Sequence, residues 1–282
     1  MPIIGADDGS CRRWWQWRTI ALWAWLPFAC GTAAAGPQRI VSVNACADIL
    51  LVDLVEPGRI VALSRNAGDP RLIPDPAKTA GFPRVGRTAE EAYALKPDLV
   101  LAGAFAGRDA KAFLRAHGVD VVDVGIAARL ADVPGVILET GRALGEEARA
   151  ARLAAGLDFP EPPPGPRPRA LNLQRRGVIA GRGTLTDDLM HAAGLENAAP
   201  FEGYARLDAE RLMTLDADLI VLNQEPGTPA DQGEALLEHP ALRAHFAGAR
   251  RVVLPGNLTV CAGPHLIRAV EVLREAREQL LD

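Results

Sequence analysis

The chain has 282 residues, 49% of them hydrophobic, and a formal charge of −4. That is apolar material for one large or two medium cores, and the charge balance leaves no basic footprint for nucleic acid. Trp14, Trp15, Trp17, Trp23 and Trp25 are all five tryptophans, so a chain that loses its first segment works without tryptophan.

Residues 1–35 read as an export signal, with cleavage expected after Ala35. Arg12, Arg13 and Arg18 supply a positive flank, "TIALWAWLPFAC" an apolar middle, and Ala33 to Ala35 the small residues of a cleavage site. Lipidation of Cys30 is the minority alternative, because Pro27 stands where leucine is usual in such a box. Pro27 and Gly31 also interrupt the run of about 20 apolar residues that a permanent span needs. Removal of the leader takes Cys11 and Cys30 with it and leaves Cys46 and Cys261.

Beyond the leader, short β-rich runs alternate with amphipathic stretches. "RIVSV" (39–43) predicts a strand, "ACADILLVDL" a helix starting near Asn44, and "RIVALS" (59–64) a second strand. A Pro/Gly-rich loop leads to "EEAYALKPDLVLAG" (90–103), a helical turn, a break and a buried strand. "RDAKAFLRAHG" predicts a helix closed by Gly118, and "VDVVDVG" a strand. Strands separated by helices imply parallel pairing with right-handed crossovers, giving an α/β lobe over 38–127. A long helix after Pro134 occupies 128–160 together with its "FPEPPPGPRPR" stop. Over 161–282 the same grammar resumes with strands "RALNL" and "GVIAG", helix "TLTDDLMHAAG", helix "GEALLEHPALRAHFAG", strand "RRVVLPG" and a last helix from Pro264.

Within that second half, "ERLMTLDADLIVLN" (210–223) repeats residues 90–103 without gaps at an offset of 120 (210 minus 90). Glu90 aligns with Glu210, Leu95 with Leu215, Asp98 with Asp218 and Leu99 with Leu219. The expected fold is therefore two similar α/β lobes with parallel-rich sheets, bridged by one long helix.

The ordered set "RIVSVNACAD", "GFPRVGRTAEEAYALKPDLVLA", "HAAGLENAA", "RLDAERLMTLDADLIVL" and "LPGNLTVCAGPHLIRAVEVL" resembles the periplasmic binding proteins of iron-siderophore and cobalamin ABC importers. The resemblance runs from about Arg39 to the C-terminus. "HAAGLENAA" departs from the family's Leu-x-x-x-Gly-Gly-x-Asn element by carrying Leu195 at the second glycine. The resemblance implies a ligand cleft between the lobes and a monomeric, non-enzymatic periplasmic protein without a cofactor of its own, which captures a metal chelate there and hands it to an inner-membrane permease. It also implies that one glutamate per lobe, here Glu90 and Glu210, meets arginines of the permease. A solvated helix start, favoured by the helix dipole, is the alternative for either glutamate alone.

Ligand residues are nominated from the loops that follow strands, where open α/β sheets present their sites. In the first lobe these are Asn44, Cys46, Arg65, Arg84, Arg87 and Phe105. In the second they are Arg182, Tyr204, Arg206, Asn223, Cys261 and His265. The arginines suit carboxylate or catecholate oxygens, which ranks ferric siderophores first, cobalamin next and haem third. Three readings of Cys46 and Cys261 stay open: a disulfide or close pair first, packed thiols second, soft-ligand contact with a metal third. No HExxH or GxSxG stretch is present, which leaves a two-lobed metal-dependent enzyme as a lower alternative, with a protein-partner module below it.

Overall fold

The computed structural model describes residues 36–104, 106–174, 177–224 and 239–282. The expected export signal therefore lies outside the described residues. The first lobe runs β1 (Ile40–Ser42), α1 (Ala45–Leu54), β2 (Ile60–Ser64), α2 (Pro76–Thr79), β3 (Arg84–Val85), α3 (Ala89–Ala94), β4 (Leu99–Gly103), α4 (Arg108–Ala116) and β5 (Asp120–Val124). Its sheet has the order β3-β2-β1-β4-β5, and every pairing is parallel. Helix α1 starts where the sequence places it because the Asn44 side chain accepts the Cys46 and Ala47 amides.

The stretch after Pro134 is two helices, α5 (Val133–Leu144) and α6 (Glu147–Ala155), where one was expected. Gly145 turns the chain with φ of 68°, a left-handed conformation that glycine adopts without steric cost. The two helices then pack on each other at Gly141, where a Cβ would sit 2.2 Å from that of Ala150. The Arg59 guanidinium holds this corner through Glu146 and the Leu144 carbonyl.

The second lobe comprises β6 (Arg169–Gln174), β7 (Val178–Ala180), α7 (Leu185–Ala192), β8 (Glu196–Asn197), β9 (Tyr204–Arg206), α8 (Ala209–Leu212), β10 (Leu219–Gln224), α9 (Pro240–His245), β11 (Arg250–Pro255) and α10 (Leu266–Leu281). Its sheet order is β11-β10-β6-β7-β9, with β8 also on β6. The β11, β10, β6 and β8 pairings are parallel. By contrast, β7 is antiparallel to both β6 and β9. The connection from β6 to β7 is too short for a crossover helix, so the chain has to fold straight back.

The repeated passage is a structural repeat. From residue 90 to 100 and from 210 to 220, exposed and buried positions follow nearly the same pattern. Asp98 accepts the Arg39 backbone amide, and Asp218 accepts that of Arg169, so each repeat pins the opening of its lobe's central strand in the same way. The strands also split their side chains alike. Leu99, Leu101, Leu219 and Val221 enter one cluster that also contains Leu54 of α1, Ile137 of α5, Met190 of α7 and Leu273 of α10. Val100 and Ala102 face a cluster private to the first lobe, and Ile220 and Leu222 one private to the second. Period-two alternation thus gives each sheet one face of its own and one shared through the helices between them. Among the described residues no helix is long and apolar enough to cross a membrane.

Candidate functional site

Both lobes open a pocket at the carboxyl edge of their parallel strands. In the first lobe a pocket of about 410 Å³ has Val43, Arg65, Arg87 and Ala106 at its mouth and reaches inward to Lys111 and Leu114. Arg65 and Arg87 are exposed and have no ion-pair partner among the described residues. Lys111 is buried and committed to Asp123, with Nζ–O distances of 2.7 and 2.9 Å. The mouth therefore carries two guanidiniums available to an anionic group, while the cation inside is already neutralised.

In the second lobe, Tyr204, Asn223, Thr259 and Val260 line a pocket of about 340 Å³ together with Gln174 and Thr186. Tyr204 and Val260 are exposed apolar surface. The Asn223 amide donates to Thr259 Oγ1 at 2.9 Å and accepts from Asn172, a fully buried residue of β6. Asn172 sets the Asn223 amide from behind; nothing in the sequence marked it, since it reads as an ordinary interior strand position.

Cys46 and Cys261 form a disulfide with Cα atoms 5.2 Å apart. It joins the start of α1, just past the end of β1, to the loop that follows β11. The two carboxyl edges are thereby tied together between the pockets, and the cysteines act as a link, with no thiolate left for a metal. Ile49 and Ile73 pack around the buried Cys261. Two polar ties also run from the first-lobe side to the second lobe: Asn257 Nδ2 donates to the Pro70 carbonyl at 2.8 Å, and, away from the disulfide, Arg129 pairs bidentately with Asp188 at 2.6 to 3.0 Å.

Several nominated residues have other tasks. Asn44 spends its side-chain oxygen on the α1 cap. Arg84 donates to the Thr79 carbonyl at 3.0 Å and does not line the first-lobe pocket. Arg182, nominated from the loop after β7, does not reach the cleft edge. Because β7 runs the other way, its end points toward the opposite edge, where Arg182 joins Arg167, His191 and Asn197 around a separate pocket and donates to the Pro200 carbonyl. Arg206 ends β9 opposite Val178, on the cleft edge but outside the pocket lining. Phe105 lies outside the described residues.

His265 is held inside, its Nε2–H directed at the Cys261 carbonyl at 3.0 Å. Burial lowers its pKa to about 4 against the opposing effect of that hydrogen bond. The carboxyl of Asp48, fully buried in α1, is displaced the other way: burial raises its pKa although the Ser64 amide and hydroxyl both donate to it. Among the described residues no three His, Cys, Asp or Glu side chains converge as a metal site.

Glu90 and Glu210 occupy equivalent places. Each is the second residue of a short helix, capped by Thr88 in α3 and Asp208 in α8, and each is exposed. Both helices follow strands that end on the cleft edge, so the two glutamates stand on the rim that carries the pockets.

The chain has relatives of known structure. A periplasmic haem-binding protein, RhuT from Roseiflexus sp. RS-1, is 25% identical over 88% of this chain and 100% of its own, with a TM-score of 0.70. The haem-binding protein BhuT, solved with two haems, is 26% identical over 86% of this chain and 99% of its own, with a TM-score of 0.70. A periplasmic haem-binding protein from Pseudomonas aeruginosa is 25% identical over 85% of this chain and 92% of its own, with a TM-score of 0.67. A vitamin B12-binding protein of Vibrio cholerae, at 17% identity and a TM-score of 0.62, shares the fold. No curated protein sequence matches. The sequence profile of the family described as "Periplasmic binding protein" matches residues 40–254, from β1 through the end of β11's core, and with two lobes, a cleft-edge pocket on each and a duplicated helix-to-strand passage, the chain belongs to that family.

Proposed function

We propose that the protein is exported to the periplasm through residues 1–35, captures an anionic iron chelate between its lobes and delivers it to an ABC permease. The observation that carries this reading is the pair of pockets on opposed carboxyl edges, with the unpaired Arg65 and Arg87 at the mouth of one and Tyr204, Asn223 and Thr259 lining the other. A guanidinium pairs bidentately with carboxylate, so two at one mouth suit either the propionates of haem or the carboxylates of a ferric siderophore. Haem is favoured by the three solved relatives at 25–26% identity, all of them haem-binding proteins. Cys46 and Cys261 serve as the interlobe link rather than as ligands. Glu90 and Glu210 serve the permease, as exposed acids on equivalent rims.

The test is titration of the chain from Gly36 onward. Haemin is followed by its absorbance, and a carboxylate siderophore and cobalamin by calorimetry. An iron chelate binding at micromolar affinity or better, weakened roughly 10-fold or more in Arg65→Ala/Arg87→Ala, supports the reading. Failure of both iron chelates to bind below the high micromolar range refutes it, and tight binding of cobalamin alone refutes it in favour of a corrinoid.

A further inference from the structure

We infer that each lobe meets the permease through an acid and an apolar side chain together, with Tyr93 beside Glu90 and Met213 beside Glu210. The inference rests on the docking reading above and adds a second, chemically different half to each contact. Tyr93 is 41% exposed and Met213 42% exposed, both among the few large apolar side chains that the surface leaves open. Taken singly, neither needs an explanation, because scattered exposed apolar residues are normal. Their positions are not scattered. Each stands three residues after its glutamate, one helical turn along the same face, and the two correspond at the offset of 120 (213 minus 93) that relates the repeats.

The surroundings fix the tyrosine before a partner arrives and leave the methionine adaptable. The Tyr93 ring meets Phe113 edge-on at 6.0 Å and lies 5.0 Å from His117, so its free edge projects from a packed base. Met213 closes α8, with its amide bonded to the carbonyls of Ala209 and Arg211. A tyrosine anchored in this way loses little freedom on binding, and a methionine adapts to the recess it meets. Neither glutamate has an ion-pair partner among the described residues. The occupant that fits is a permease with two-fold symmetry, each half presenting a cation next to an apolar recess. The disulfide that ties the cleft edges holds the two contacts at one spacing, as such a partner requires.

The two halves of each contact differ in their response to salt: attraction between exposed charges is screened, apolar burial is not. Binding of the chelate-loaded protein to the permease of its own host in lipid nanodiscs is measured at about 50 and about 500 mM NaCl, with lipid-only discs alongside. Tyr93→Ser/Met213→Ser is expected to weaken docking roughly 10-fold at both salt concentrations with chelate affinity unchanged. Met213→Ser alone, which disturbs no ring packing, is expected to weaken it a few-fold at both. Wild-type docking by both variants overturns the inference, and equal binding to lipid-only discs overturns it in favour of a membrane surface. Glu90→Ala/Glu210→Ala reports separately on the docking reading, which fails if that variant binds normally at the lower salt concentration.

Discussion

Replacing Cys46 and Cys261 with alanine removes a link that closes 215 residues of chain. In the chain-entropy account, a loop of that length restricts the unfolded ensemble by about 5 kcal/mol at 25 °C. The realised loss is smaller, about 2–4 kcal/mol, because the unfolded chain is itself compact and the shared apolar cluster keeps the folded lobes together without the bond. For a chain of this size each kcal/mol lowers the melting temperature by about 2–4 °C, so a drop of roughly 10 °C is expected. Alanine is the right replacement, since Cys261 is buried beside Ile49 and Ile73, and serine would leave a hydroxyl without a partner there. Thermal melts of the oxidised protein, the reduced protein and the double variant provide the comparison, with the last two expected to coincide. A double variant melting within about 2 °C of the oxidised protein refutes the reasoning. So does the titration of two reactive thiols in the native, unreduced protein.

Other perturbations have equally definite outcomes. Gly141→Leu forces side-chain atoms into Ala150, already 2.2 Å from the Cβ position, and should destabilise the α5–α6 corner by about 1–3 kcal/mol in denaturant titration. Asp48 has a folded pKa above its ordinary value of 3.8, so the stability it supplies is present below that value and lost as pH rises through the folded pKa. Asp48→Asn should remove this fall, and an unchanged pH–stability profile between the two proteins would contradict it. His265 has the opposite sign: its folded pKa of about 4 lies below the ordinary 6.5, so its contribution is present above pH 6.5 and is lost as pH falls toward 4. The NMR titration of its ring should show no protonation near pH 6.5 in the folded protein.

Much of this architecture is legible in the sequence where local chemistry decides it. Asn44 before "ACADILL" is a helix start by side-chain capping, and the gapless echo of residues 90–103 at 210–223 announces corresponding strands because the same alternation feeds the same kinds of cluster. Gly145 was a visible stop that composition obscured: leucine and alanine on both sides continue a helical pattern that the left-handed glycine ends. Strands β3, β8 and β9, of two or three residues, are too short to show any period. Of the nominated residues, Arg65 and Arg87 line the first-lobe pocket and Tyr204 and Asn223 the second-lobe one, three of the four standing where a strand gives way to a loop and Tyr204 opening β9. Arg182 was misplaced because the rule of loops after strands holds for parallel strands, and β7 is not one. The roles of Asn172 behind Asn223 and of Asp123 beneath Lys111 depend on neighbours that only the folded sheet supplies.

The cluster that runs from Leu54 through Ile137 to Met190 and Leu273 makes the two halves depend on each other for folding. Each copy of the repeat still pins its own strand, yet neither half now owns the apolar face on which its sheet rests. Neither half can bury that face without the other. Cut between β5 and β6, the chain should yield two fragments that melt early or associate with each other rather than two stable small proteins.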